Sequence, residues 1–477
     1  MALHEQPEWR DRMRVRFDFN NAMADAVGPE HGVSEEEVNA LAGRVRQSHD
    51  TLRRRRAAGD LSWMELPYAT DVVRDVLGYV DSVAGRFDNF VVLGIGGSAL
   101  GNIALSSALN HPYHNLLPSA QRQGRPRLFV LDNVDPDQFA GFLSVVDLDR
   151  TLFNVITKSG STAETMAQFL IVRKALSDRV GRSHVDRIVC TTDPREGELR
   201  KIVESEGYRS FDIPPGVGGR FSVLSPVGLL SAAITGIDIS ALLAGAAYAD
   251  ALCNEPDVWR NPAYMNAVLH YVGYQHGRTI SVMMPYSYAL RDVADWYRQL
   301  WAESLGKEKD LDGNVVHVGP NPVKALGVTD QHSQMQLYQE GAFDKIITFI
   351  AVSKFKHEVP IPSGFPESPG VSYLGGHSLN ELMEVEREGN TISLTRAQRP
   401  NVTFTLPEVN PFTVGQILYL FEMQTAMIGE LFKINTYDQP GVEAGKIAAY
   451  ALMGRPGFEK QKQEIMAARK FSPKYVI

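Results

Sequence analysis

Only two cysteines, Cys190 and Cys253, occur in 477 residues. That excludes a disulfide framework and makes a reduced, cytoplasmic setting the expectation. Positive charge is also scarce. The net charge of −8 argues against a nucleic-acid partner, and a phosphorylated ligand would need cations gathered locally. No apolar leader opens the chain, whose early residues include the polar Glu5-Gln6-Pro7-Glu8-Trp9-Arg10. No apolar run is long and unbroken enough to span a membrane. The nearest, Val227 to Ala249, is interrupted by Gly236-Ile237-Asp238-Ile239-Ser240 and reads as two buried helices joined at Asp238. His111 and His114 lack further ligands at suitable spacing, so no metal site is expected.

The remaining composition, 44% hydrophobic and 22% charged, is that of a folded chain long enough for two or more domains. Residues 1 to about 88 read as mainly helical, with Arg53-Arg54-Arg55-Arg56 as a solvated helix face. Phe90-Val91-Val92-Leu93 then reads as a strand entering Gly94-Ile95-Gly96-Gly97-Ser98, with a helix following. This unit and Asp132, at the end of the next strand, leave a dinucleotide fold as a competitor. However, the spacing from Gly101 to Asp132 exceeds the roughly 20 residues of that fingerprint.

The third unit of this kind is the most informative. The apolar strand Leu152–Ile156 leads into Thr157-Lys158-Ser159-Gly160-Ser161-Thr162, and a helix starts beyond it. Free backbone N–H groups, hydroxyls and one lysine make an anion site in outline. The alternative is an ordinary capped helix start, with Ser161 or Thr162 as N-cap and Glu164 behind it. Strands alternating with helices imply an α/β fold with a parallel sheet, and ligands of such sheets bind at the carboxyl ends of the strands.

Next, Gly216-Val217-Gly218-Gly219-Arg220 sets an arginine among glycines. Near residue 275 the pattern restarts: a strand at Thr279–Met284, a helix from Ala289 to Leu305, and Gly306 as its stop. Glu303 lies in the last turn of that helix, on the flank of the apolar stripe. The negative end of the helix dipole and a neighbouring tryptophan would both disfavour its charge, as suits a base that takes protons from carbon. The alternative is a solvated glutamate helped by Lys307. His332 sits in polar Asp330-Gln331-His332-Ser333, and Thr391–Thr405 reads as β-rich. Lys446 stands early in a helix running toward Leu452, with Glu443 as its ordinary partner.

Six stretches carry a resemblance when taken in order. They are Gly-Ile-Gly-Gly-Ser at 94–98, Thr-Lys-Ser-x-x-Thr at 157–162, Gly-Gly-Arg-Phe-Ser at 218–222, Trp-x-Glu-Ser-x-Gly-Lys at 301–307, Asp-Gln-His-Ser at 330–333 and Asp-Gln-Pro-Gly-Val-Glu-x-Gly-Lys at 438–446. Together they resemble the glucose-6-phosphate isomerase family, over about residues 60 to 450.

The resemblance implies an α/β fold of two doubly wound, mostly parallel sugar-isomerase domains, at 61–250 and 275–446. Helical extensions would flank them at 1–60 and 447–477. It implies interconversion of glucose 6-phosphate and fructose 6-phosphate through an enediol, with no metal or redox cofactor, in a homodimer. Ser98, Thr157, Ser159 and Thr162 would hold the phosphate, with Lys158 nearby, and Gly97 and Gln439 would touch the sugar. Glu303 would move the proton between C2 and C1, Arg220 would favour the enediolate, and His332 and Lys446 would open the ring. His332 would come from the neighbouring subunit. A glucose/mannose 6-phosphate isomerase and a non-catalytic sugar-phosphate binder remain the alternatives. The familiar Ser-Lys-Thr of the phosphate motif is Thr157-Lys158-Ser159 here, which keeps a hydroxyl at each position.

Overall fold

The computed structural model describes residues 2–468 and 470–477. Its first strand is short: β1 (Arg16–Asp18) precedes helices α1 (Glu35–Ala57) and α2 (Thr70–Ser82). Five strands then form the first sheet: β2 (Asn89–Leu93), β3 (Arg127–Leu131), β4 (Thr151–Ile156), β5 (Ile188–Thr192) and β6 (Arg209–Asp212). Helix α3 (Leu100–Leu109) follows β2, and α4 (Ala163–Val180) follows β4. The strand order is β3-β2-β4-β5-β6, with every pairing parallel. The sheet is buried on both faces. Phe90 and Val92 point into the largest core, whereas Val91 and Leu93 point into a second one. This alternation within an unbroken apolar run is what two-sided burial of a parallel strand requires.

Three helices separate the sheets: α5 (Pro226–Ile234), α6 (Ile239–Cys253) and α7 (Pro262–Gln275). The apolar Val227–Ala249 segment is therefore two buried helices. Asp238 caps the second, its carboxylate accepting from Ala241 N at 2.9 Å. Among the described residues no helix is long and apolar enough to cross a membrane.

The second sheet comprises β7 (Ile280–Pro285), β10 (Asn321–Lys324), β11 (Lys345–Lys354) and β12 (Asn401–Glu408). Helix α8 (Arg291–Leu305) and the antiparallel pair β8 (Lys307–Lys309) and β9 (Val315–Val318) lie between β7 and β10. Helix α9 (Leu379–Arg396) precedes β12, and α10 (Pro411–Phe432), α11 (Glu443–Leu452) and α12 (Glu459–Ala468) complete the chain. The order β1-β12-β11-β7-β10 repeats the crossover of the first sheet, since β10-β7-β11-β12 stands to β7 as β3-β2-β4-β5 stands to β2.

Three expectations are corrected. Residues 1–60 are not only a helical extension, because β1 adds antiparallel to β12 at the edge of the second sheet. Thr391–Thr405 is not uniformly β: helix α9 runs to Arg396. Its β-branched threonines return their hydroxyls to the backbone one turn back, Thr391 to Arg387 O at 2.9 Å and Thr395 to Thr391 O at 2.8 Å. The basic run is also not merely solvated. Arg56 donates to both carboxylate oxygens of Asp250, at 2.9 and 3.0 Å. Arg55 pairs with Glu430 at 3.3 Å and covers the Tyr437 ring. These contacts fasten α1 to α6 and α10.

Helix α10 is buried nearly all round, as befits a central helix. It can approach α6 closely because glycines face each backbone. A Cβ on Gly245 would lie 1.9 Å from Phe412 O, and one on Gly415 2.0 Å from Leu242 O. Gly415→Ala should therefore lower stability by about 1–3 kcal/mol or more through overpacking. Urea unfolding measures this, and an unchanged midpoint would show that the two helices can separate freely.

Candidate active site

In the first sheet the chain reverses its direction of progress between β2 and β4, so the turns after these two strands flank the crevice where such sheets bind ligands. After β4, the side chains organise the Thr157–Thr162 turn among themselves. Thr157 Oγ1 and Thr162 Oγ1 are 2.9 Å apart, and Gly160 N donates to Thr157 Oγ1 at 3.2 Å. Thr162 is the N-cap residue of α4 but makes no side-chain cap bond. The capping-box alternative is thus not what forms, and the amides that open α4 are left without a side-chain cap. Gly160 is required here: its φ is +67°, and a Cβ would stand 2.1 Å from Leu199 N. Ser159 is exposed, and Ser161 N donates to its hydroxyl at 3.3 Å. Lys158 Nζ donates to Val217 O at 3.0 Å, tying this turn to the arginine loop.

After β2, Gly96–Ser98 forms one tight turn before α3, and Ser98 is half-buried. Gly97 packs backbone to backbone on Gly219; a Cβ on Gly97 would come within 2.2 Å of Gly219 C. The residue beside that contact is Arg220, 2% exposed. Its Nε donates to Ser304 Oγ at 2.8 Å. Its Nη1 reaches Gln439 Oε1 at 2.8 Å and Glu303 Oε2 at 3.4 Å. Its Nη2 donates to Thr436 O at 2.6 Å and Asp438 O at 3.1 Å. Burial pulls the guanidinium below its ordinary value and Glu303 opposes that, but arginine stays charged.

Glu303 is 31% exposed at its side chain. Its other oxygen accepts from Gln299 Nε2 at 3.1 Å. The carboxylate thus meets polar donors rather than the apolar niche expected from the helical wheel. Lys307 does not help it side chain to side chain either. Its ammonium turns back to the carbonyls of Glu303 and Ser304, at 2.8 and 3.0 Å, and to Asp438 O at 3.0 Å. Gly97, Arg220, Glu303 and Gln439 are therefore assembled in one place.

Two expected residues lie outside the cluster. Lys446 pairs with Glu443 at 2.9 Å, the partner expected from its spacing. One turn further along α11, Tyr450 OH donates to Ser161 O at 3.2 Å, which docks the helix on the Thr157–Thr162 turn. His332 is exposed on the turn Thr329–His332, and no hydrogen bond of the Arg220–Glu303–Gln439 cluster reaches it.

Four residues of the cluster were given no role by sequence reasoning: Gln299 and Thr436, and also Ser304 and Asp438, which stand inside the stretches at 301–307 and 438–446. Gln299 had a signal, since it stands four residues before Glu303 on the same helix face. The other three act through contacts over long sequence separation, with the Thr436 and Asp438 contributions coming from backbone carbonyls that no residue type announces.

The family model described as phosphoglucose isomerase matches residues 72–467. The chain is 45% identical to the glucose-6-phosphate isomerase of Carboxydothermus hydrogenoformans, over 98% of this chain and 100% of that one. It is 43% identical to that of Rubrobacter xylanophilus, over 93% and 99%. Among solved structures, a hypothetical protein of Thermus thermophilus superposes with a TM-score of 0.81 at 35% identity, covering 92% of this chain and 100% of its own. A glucose-6-phosphate isomerase from Chlamydia trachomatis has a TM-score of 0.71 at 23% identity, covering 84% and 77%, and shares the fold.

The Gly97–Gly219 contact gives a test of the site's geometry. Gly97→Ala should push the β2 turn and the arginine loop apart and lower turnover by about 100-fold or more. The melting temperature should fall as well, since the overlap is with backbone and the displaced loop carries the buried Arg220. Wild-type turnover in this variant would show that the contact does not set the position of Arg220.

Proposed function

The chain belongs to the phosphoglucose isomerase family, and we propose that the Arg220 cluster together with the turns at Ser98 and Thr157–Thr162 is the site at which it interconverts glucose 6-phosphate and fructose 6-phosphate. The observation that carries this reading is the placement of one buried arginine. Arg220 contacts the carboxylate of Glu303 and the amide of Gln439 while its neighbour Gly219 rests on the turn after β2. This supports reading the turns as an anion-binding edge and Glu303 as a base held in one unit.

In this reading the phosphate is held by the hydroxyls of Ser98, Thr157, Ser159 and Thr162 and by the open amides of α4, with Lys158 adding charge. Gly97 and Gln439 meet the sugar. His332 and Lys446 move a proton between the ring oxygen and the C1 hydroxyl, which opens the ring. Glu303 then takes the proton from C2 of the aldose, and the electron pair forms the C1–C2 double bond of an enediolate. The proton is returned at C1 while the O2 hydroxyl proton passes to O1, leaving the ketose carbonyl at C2. The charge that develops on the enediolate oxygen falls beside the Arg220 guanidinium, which is held in place before the reaction begins. The working unit is a cytoplasmic homodimer in which His332 of one copy serves the site of the other.

Glu303→Gln should bind substrate with near-normal affinity and lose most turnover, because only proton transfer is removed. Wild-type product in heavy water should carry deuterium at C2 when fructose 6-phosphate is the substrate, with total product measured alongside. Near-normal turnover by Glu303→Gln would end its assignment as the base.

The subunit arrangement has its own test. Glu303→Gln and His332→Ala, each inactive alone, should recover about a quarter of wild-type activity when unfolded together and refolded as randomly paired two-fold dimers. Activity no greater than the sum of the separate variants would place His332 in its own subunit's site or outside the reaction.

A further inference from the structure

Lys307 has no assigned part in the scheme above, yet its ammonium is one of the two buried cations of the cluster. Its side chain is 5% exposed. Filling space alone would be done at lower cost by an apolar side chain, since a buried charge must recover its lost hydration. The three oxygens it reaches at hydrogen-bond distance are backbone carbonyls. Two belong to Glu303 and Ser304, in the last turn of α8. The third belongs to Asp438, 131 residues further along the chain and next to Gln439. Asp438 O also accepts from Arg220 Nη2 at 3.1 Å, so two cations converge on one peptide carbonyl.

We propose that Lys307 is a positioning residue for the isomerisation: its ammonium caps the helix whose last turn carries Glu303 and clamps that helix end to the segment carrying Gln439. The proposal rests on Glu303 being the base. The cap satisfies carbonyls that the helix leaves open and sets a positive charge against the negative end of its dipole, where the Glu303 carboxylate stands. The clamp fixes the distance between the base and the sugar-contacting amide. A base displaced by as little as about 1 Å loses on the order of 100-fold in rate.

The ionisable groups facing Lys307 are Arg220 from the 218–222 loop, Glu303 from α8 and Asp438, whose Oδ1 lies 3.7 Å away. Burial, then Arg220, pulls the ammonium down to about 8, against the opposing pull of Asp438 and Glu303. The clamp is charged below that pH and loses its charge above it.

The test compares Lys307→Met, Lys307→Arg and Glu303→Gln with the wild type, across a pH series at constant salt. Lys307→Met should lower kcat by about 10- to 100-fold with KM within about threefold, because the phosphate turn is untouched. Lys307→Arg should restore most of kcat at pH 7 and move the alkaline limb of the kcat/KM profile, which reports the free enzyme, from about 8 to about 10 or beyond, since a guanidinium does not lose its proton there. Wild-type kcat in Lys307→Met, or an alkaline limb unmoved in Lys307→Arg, overturns the proposal. If Lys307→Met fails to fold, the Lys307→Arg profile decides alone by the same criterion. If Glu303→Gln turns over normally, the reading of the site falls and this proposal falls with it. If Glu303→Gln is inactive and the Lys307 variants behave as wild type, only the role of Lys307 is lost.

Discussion

A guanidinium that is 2% exposed must find oxygens for its N–H groups, because a buried unpaired cation is strongly destabilising. Arg220 finds them on Ser304, Glu303 and Gln439 side chains and on the carbonyls of Thr436 and Asp438. That demand fixes three segments relative to one another: the 218–222 loop, the end of α8 and the stretch 436–439. Gly219 then transmits the position to the turn after β2 through its contact with Gly97, and Lys158 ties the turn after β4 to Val217 in the same loop. The proposed phosphate-binding edge and the proposed base are therefore not independent sites. Both are referred to one arginine loop.

The two sheets repeat one crossover pattern but contribute to the site in different ways. The first presents the carboxyl ends of β2 and β4, where the chain changes its direction of progress and a crevice is left open. The second presents the far end of its first crossover helix. Helices α3 and α8 are the corresponding crossovers of the two sheets, and they pack on each other. The N-terminal end of α3 carries the Ser98 turn, and the C-terminal end of α8 carries Glu303. A helix start and a helix end present opposite ends of the helix dipole, so a duplicated fold supplies two unlike electrostatic environments to the proposed anion site and the proposed base.

Much of this was legible in the sequence, for local reasons. Strands β2, β4 and β7 are short apolar runs that end in polar or glycine-rich turns, and Asp238 marks its helix junction by residue type alone. Elements governed by distant partners were not legible. The three residues of β1 become a strand only by pairing with β12. Helix α10 is apolar around most of its circumference, so no amphipathic period announces it. The threonines of α9 read as β until their hydroxyls are seen to bond the helix backbone. For the site, residue types and motif order pointed to Gly97, Arg220, Glu303 and Gln439. Their convergence spans separations of 83 and 219 residues, which no local pattern encodes. Lys307 shows the limit most clearly: beside Glu303 it reads as a side-chain partner, and the fold turns it to carbonyls.

The distances within the cluster bear on the proposal that Glu303, a carboxylate beside two cations, acts as the base. Two cations, Arg220 and Lys307, face two carboxylates, Glu303 and Asp438. Both ion pairs are long, at 3.4 and 3.7 Å, against about 2.7–2.9 Å for a strong charge-assisted bond. The short bonds of both cations go instead to carbonyl, hydroxyl and amide oxygens. A carboxylate gripped bidentately by arginine would have both oxygens engaged and neither free to meet a C–H proton. Here Oε2 of Glu303 keeps a loose contact with Arg220, and Oε1 accepts one neutral amide N–H from Gln299. The arginine is thereby satisfied elsewhere and yet remains beside the carboxylate. On the proposed mechanism, as the proton moves to Glu303 the Arg220 charge would be met by the enediolate oxygen without any group having to move far. Preorganisation of this kind depends on neutral acceptors being numerous enough to hold a cation that no carboxylate neutralises at close range.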